Sequence, residues 1–402
     1  MRSSTLRAVS AARACALNGG IQIVWSAILG LSLQSRAIAL AGEGDAVTAY
    51  ARIFALGALV ATVVQIVAGT YSDRVRRTRG NRLPFYTAGT VLAIPAVIWF
   101  YLAPNLVQLA IAFLAVEFAM NILCGPYQAV IPDYVAPDRR GFASSWMSAY
   151  QSIGGALGLI IAGVIHDLRF VALAIVVPLA GSFAATAGYL RNIPAQIADV
   201  PVVGTMKGVR LGGPLGALLL SRGLINVGFY TLLGFLLFFV RDSLHVGGDA
   251  TITQTGYLFL IFTLAAIPGA VLAAGPTDRY DKRIAVTVSM AVVALSLAGL
   301  YFSATVPIAF VAAGFAGVGW GAFVTADWAL ASAVLPPGEM ATTMGIWNVA
   351  TTIPQVIAPL ATAPLVVRLN AMHPGSGPRG AIALAFVEFI LGAAAIWRLP
   401  RA

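Results

Sequence analysis

Twelve times between residues 14 and 398 the chain runs through about 20 residues that are almost wholly apolar. At 1.5 Å of helical rise per residue, each run is long enough to cross roughly 30 Å of hydrocarbon. The runs fall near 14–35, 49–71, 84–103, 105–131, 142–165, 170–190, 214–240, 255–275, 284–303, 306–335, 341–366 and 381–398. They are continuous rather than alternating, which argues against barrel strands, and a backbone in lipid must then satisfy its own hydrogen bonds as helix. Composition agrees, because 10% of residues are charged and 59% hydrophobic, whereas soluble domains carry about a quarter charged. Asn18, Gln22 and Gln34 interrupt the first run and no small-x-small cleavage site ends it, so it is expected to be a span rather than a signal peptide.

The basic residues set an expected orientation. With the N-terminus inside, eighteen of the 25 Lys and Arg fall in inner segments and six in outer ones, leaving Arg222 within a span. An even number of spans puts both termini on that same, cytoplasmic side. The net charge of +10 therefore reads as topology and not as nucleic-acid binding. Between the sixth and seventh runs lies the longest polar connector, with Pro194, Pro201, Lys207, Arg210 and Gly212-Gly213. The expected organisation is a six-helix bundle over 1–190, a cytoplasmic linker over 191–213 and a second bundle over 214–402. An internal repeat supports it: Asp73-Arg74 recurs as Asp278-Arg279, 205 residues on, and Pro137 as Pro336, 199 on, which sets Gln128 against Asp327.

After the second run the chain reads Gly69-Thr70-Tyr71-Ser72-Asp73-Arg74, then Arg76, Arg77, Arg79, Gly80, Arg82, Pro84 and Phe85. This resembles the cytoplasmic signature of the major facilitator superfamily, and within it most closely the sucrose-transporter-like and glycoside/cation symporter branches. Gly125-Pro126-Tyr127, Pro132-Asp133, Pro137, Arg140 and Gly141 continue the likeness. The resemblance implies an all-α membrane protein of twelve helices in two pseudo-symmetric six-helix bundles, working by alternating access. It also implies a cytoplasmic gate built from Gly69, Asp73, Arg74, Arg77, Asp133 and Arg140, repeated at Asp278 and Arg279. Chemically, Asp73 can take hydrogen bonds at a helix N-terminus, and Arg74 or Arg77 can pair with Asp133. The fifth run holds Gly154, Gly155, Gly158 and Gly163 but no Gly-Pro pair, the mark of many drug/proton antiporters.

Polar groups inside the runs mark the candidate pathway, since each ion there costs about 2.5–3.5 kcal/mol on insertion scales. Asn18 and Gln22, Glu117 and Asn121, and Arg222, Asn226 and Tyr230 each share a helical face at four-residue spacing. Asp327 beside Trp328 is the leading candidate for coupling, with Glu117 and Glu388 behind it. Asn348 and Gln355, near Pro354 and Pro359, are candidates to line the pathway. His166, His245 and His373 fall in or beside outer loops, and Cys15 and Cys124 read as apolar packing residues.

The function expected from these features is secondary active transport, proton-coupled, of a small organic solute, with a sugar-like one favoured. An efflux antiporter for drugs or metabolites is the alternative, and a membrane-embedded sensor or enzyme a remote one. The chain has no nucleotide-binding loop, no His-Glu-x-x-His and no Gly-x-Ser-x-Gly. No cofactor and no metal is expected. The partners expected are the solute, a proton or other coupling cation and membrane lipid, around a monomer in a bacterial cytoplasmic membrane.

Overall fold

The computed structural model describes residues 12–42, 44–135, 140–191, 213–334 and 340–399. Pro194, Pro201, Lys207, Arg210 and Gly212 of the connector, with Pro137 and Pro336 of the repeat, lie outside the described residues. So do the side chains of Arg77, Arg140, Asp278 and Asn348. The first six spans are α1 Ala12–Ala41, α2 Ala46–Arg79, α3 Leu83–Leu102, α4 Leu106–Tyr127, α5 Arg140–Val164 and α6 Leu168–Leu190. The second six are α7 Gly213–Ser243, α8 Asp249–Arg279, α9 Lys282–Phe302, α10 Val306–Val334, α11 Met340–Met372 and α12 Ser376–Ala395. All twelve are long and apolar enough to cross a membrane, and no strand occurs among the described residues.

Helix ends follow local chemistry. Gly80, at φ +74, takes the left-handed conformation that closes α2, and Pro84 sits in the first turn of α3, where its missing N–H costs nothing. The Asn105 side chain accepts from the Gln108 N–H at 2.9 Å to start α4, and Asp281 accepts from Arg283 N–H at 3.0 Å to start α9. α2 and α8 outrun their apolar stretches and each ends on arginine, a good helix former whose long side chain reaches water. Inside α1 one π-helical turn spans Ile28–Ser32, and Gln34 Nε2 donates to the Leu29 carbonyl at 3.1 Å within the disturbed stretch.

The chain divides into two compact units, Met1–Ala49 with Leu56–Val200, and Tyr50–Ala55 with Pro201–Ala402. Each repeats the same pairings: the first helix packs on the fifth and sixth, and the third on the fourth and sixth. Glycine permits the closest approaches. A Cβ on Gly317 or Gly321 of α10 would collide with the Phe262 or Ala266 carbonyl of α8, and one on Gly154 of α5 with the Gly19 carbonyl of α1. Two arginines expected to mark outer loops do packing work instead. Arg36 donates to the Ala103 carbonyl just past α3, and Arg379 donates to the Tyr301 and Ser303 carbonyls at the end of α9, complementing the helix dipole at each.

Outward faces are apolar: Phe302 is 78% exposed, Leu295 73% and Val271 70%, surfaces that hydrocarbon covers at no cost and water does not. Gly321→Val is expected to lower the unfolding midpoint in detergent, at a cost of about 1–3 kcal/mol. Gly155→Ala, whose Cβ meets nothing within 4 Å, leaves that midpoint unchanged or raises it.

Candidate functional site

In the first unit the polar face of α4 lies at the middle of the helix. Glu117 is eleven residues from the start of α4 and ten from its end, so roughly 15 Å of helix lies on either side. Glu117 is 5% exposed, and its carboxylate accepts from Asn121 Nδ2 at 3.1 Å, the same amide that donates to the Glu117 carbonyl at 2.8 Å. One turn further on the same face is Cys124, whose thiol lies against the Trp25 indole of α1 and within electrostatic reach of Glu117. Asn18 is buried, but its amide donates to the Met147 carbonyl of α5 at 3.0 Å, a link inside the bundle. Gln22 is half-buried on the same α1 face, between Asn18 and Trp25. Trp25 escapes a search for polar residues; it is found only through its seven-residue spacing from Asn18.

In the second unit Arg222 and Asp327 form an ion pair between α7 and α10, with side chains 13% and 5% exposed. Arg222 also donates to Thr351 Oγ1 of α11 at 3.3 Å, and its carbonyl accepts from Asn226 Nδ2 at 2.9 Å. One turn on, Gln355 Nε2 donates to the Tyr230 hydroxyl at 2.6 Å. Among the described residues no donor reaches the amide oxygens of Asn226 and Gln355, so both remain as acceptors. Two turns from the ion pair, Phe229 of α7 stacks on Trp320 of α10 at 4.4 Å and 15°. Trp320 shares the helical face of Asp327, two turns away. Trp328, one residue and about 100° round the helix from Asp327, is 51% exposed.

Depth separates the three embedded acids. Asp327 stands seven residues from the end of the 29-residue α10, whereas Glu117 and Glu388 are near the middle of their spans. Gln128, its counterpart in the repeat, is exposed at the end of α4. Glu388 lies beside Thr231, whose hydroxyl is 3.3 Å from that of Thr362. Its Oε2 is buried and has no hydrogen-bond partner among the described residues. An apolar void between Phe229, Phe262 and Leu297 measures about 30 Å³, room for about one water and too small for a solute.

A second cluster closes one end of the first unit. Arg82, at the start of α3, donates to Asp133 at 2.8 Å, to Asp73 at 2.6 Å and to the Ser72 hydroxyl at 2.6 Å. Arg76 adds a contact to Asp133 at 3.2 Å. Burial alone would lower the Arg82 guanidinium, but the hydrogen bond and charge of Asp133, then those of Asp73, hold it above its ordinary value. Gly69 contributes its carbonyl, which accepts from Ser72 at 2.8 Å.

The sequence profile of the Major Facilitator Superfamily matches residues 14–359. The chain belongs to that superfamily. It is an integral, multi-pass membrane transporter and not an enzyme. Among named relatives, the sucrose transport protein SUC3 of Arabidopsis thaliana is 26% identical over 166 residues, 36% of this chain and 27% of that protein. The general alpha-glucoside permease of Schizosaccharomyces pombe is 24% identical over 159 residues, 35% and 28% of the two chains. The chain thus matches little more than a quarter of the length of these relatives. A bacterial homolog to the human lysosomal transporter Spinster superposes with a TM-score of 0.74 at 17% identity, covering 98% of this chain and 96% of that one. The nucleoside transporter NupG gives 0.71 at 10% identity, covering 98% of both. These likenesses establish the major facilitator fold.

Within that fold the signature residues are placed differently from the expectation. Asp133 is reached by Arg76 and Arg82, not by Arg74, which is exposed. The cause is helical phase: Arg76 follows Asp73 by three residues and shares its face, Arg74 is rotated by about 100°, and the turn at Gly80 brings Arg82 back over both acids. In the second unit Arg279 is likewise exposed, and the acid–base pair at that end is Asp281 with Arg283, at 2.6 Å. Arg283 also donates to the Leu399 carbonyl at 2.7 Å, tying the end of the last helix to the start of α9.

Removing one partner of a buried pair strands the other charge, a loss of about 3–5 kcal/mol, whereas removing both does not. Asp327→Asn is therefore expected to lower the unfolding midpoint more than Arg222→Gln/Asp327→Asn together. Equal losses in a detergent melt would mean that neither charge depends on the other.

Proposed function

We propose that this transporter is a proton-coupled symporter for a small hydroxylated solute, a sugar or glycoside, working by alternating access. The observation that carries the reading is the contrast between its embedded acids. Asp327 has a guanidinium to neutralise it; Glu117, at mid-depth, has only an amide. An ion without a counter-ion is expensive in hydrocarbon, so Glu117 is cheapest with its proton on and becomes charged only when water or solute reaches it. That makes Glu117 the proton carrier. The Arg222–Asp327 pair, displaced towards one end, serves to hold α7 on α10.

Amide oxygens on Asn226 and Gln355 and the Tyr230 hydroxyl suit a solute rich in hydroxyls more than a lipophilic cation, which would need an apolar cavity with one acid. The sucrose and alpha-glucoside carriers among the relatives support the same class. Arg82, with Asp73, Asp133 and Arg76, forms the gate on the side that the positive-inside bias assigns to the cytoplasm.

In proteoliposomes with an imposed pH gradient, sucrose or an alpha-glucoside is expected to accumulate. Glu117→Gln should abolish that accumulation and leave counterflow intact; accumulation that survives the substitution removes Glu117 from coupling, and no flux of any sugar refutes the solute class. Arg82→Gln should change turnover by about tenfold or more with KM nearly constant, since the gate binds no solute. A pure KM effect would place Arg82 in the solute site instead.

A further inference from the structure

Arg74, unlike Arg76 and Arg82, has apolar neighbours rather than acidic ones. Arg76 and Arg82 are both spent on Asp133. Arg74 is exposed and pairs with nothing among the described residues. It closes the end of a groove of about 440 Å³ on α2, whose other walls are Ile66, Val67, Thr70 and Tyr71. Ile66, Val67 and Tyr71 are 65%, 61% and 57% exposed. The five residues form one stripe along α2, and the Tyr71 ring is braced edge-on by Phe85 of α3 at 6.0 Å.

The dimensions and the charge limit what can lie there. From Ile66 to Arg74 is eight residues, about 12 Å along the helix, close to the roughly 15 Å of one hydrocarbon leaflet. Arg74 is three residues beyond the apolar run that ends near Tyr71, which sets its guanidinium at headgroup depth and the groove beneath it in acyl-chain territory. An apolar channel of that length ending in a single unpaired cation matches one phospholipid molecule whose headgroup carries net negative charge. We propose that this face of α2 is a binding site for an anionic phospholipid, its phosphate on Arg74 and an acyl chain along Ile66, Val67 and Tyr71. The site is independent of the transported solute. It stands beside the ionic cluster, since Arg74 and Asp73 are neighbours in sequence, one turned to lipid and the other to Arg82.

The test is native mass spectrometry of the full-length protein in mild detergent, titrated with phosphatidylglycerol or with phosphatidylcholine of the same chains. The wild type is expected to retain one phosphatidylglycerol in preference to phosphatidylcholine. Arg74→Gln should weaken that retention about fivefold, the value of one basic residue at a membrane surface. Arg79→Gln, which removes an exposed charge outside the groove, should leave it unchanged. Thr70→Trp, which fills the groove and keeps every charge, should remove retention. Equal weakening by Arg74→Gln and Arg79→Gln would show diffuse surface charge and overturn the site, as would equal retention of the two lipids. Loss of flux in Thr70→Trp with phosphatidylglycerol still held would assign the face to closure of the protein on itself, and would overturn it too.

Discussion

A charge in hydrocarbon must be neutralised where it stands, and that constraint orders this protein's interior. The chain meets it in two ways. Arg222 and Asp327 cancel each other between α7 and α10, with Thr351 and the Phe229–Trp320 stack holding the geometry. Among the described residues Glu117 has no cation beside it, and its carboxylate accepts a hydrogen bond from Asn121. A permanently paired acid changes the shape of a bundle little when solute arrives; an acid held neutral can lose its proton when its surroundings become polar. The proposed division between a structural pair and a coupling group rests on that difference.

The two units share their helix pairings but not their chemistry. One end of the first unit carries two aspartates and two arginines in contact, with Asp133 and Arg82 almost wholly buried. In the second, Asp281 and Arg283 are two residues apart in sequence, and the guanidinium is turned onto the Leu399 carbonyl and the Trp397 ring, 5.1 Å away. The first arrangement joins three separate segments, α2, α3 and the short helix after α4, and so resists their separation. The second closes mainly on its own turn and on the end of α12.

The fold was legible because bilayer thickness imposes a length on every span, and a length can be read without contacts. Helix ends were less so, since hydropathy marks the edge of the lipid and α2 and α8 continue past it. Of the site, the residue types were legible and the partners were not. Arg74 stands next to Asp73 in sequence, yet Arg82, nine residues on, is the one that binds it, because a helix turns neighbours apart and the reversal at Gly80 brings distant residues together. Trp320, seven residues back from Asp327, shares its helical face and is visible in the sequence only through that spacing. Arg222 and Asp327 come from different helices 105 residues apart, and no single-helix periodicity could pair them.

The account turns on which carboxyl group holds a proton in the resting protein and gives it up. Infrared difference spectroscopy of reconstituted protein, with and without solute, reads protonated carboxyls directly. The account predicts a solute-induced change in the protonated-carboxyl band that disappears in Glu117→Gln and persists in Asp327→Asn and Glu388→Gln. A band that survives in Glu117→Gln and vanishes in either of the others would contradict it.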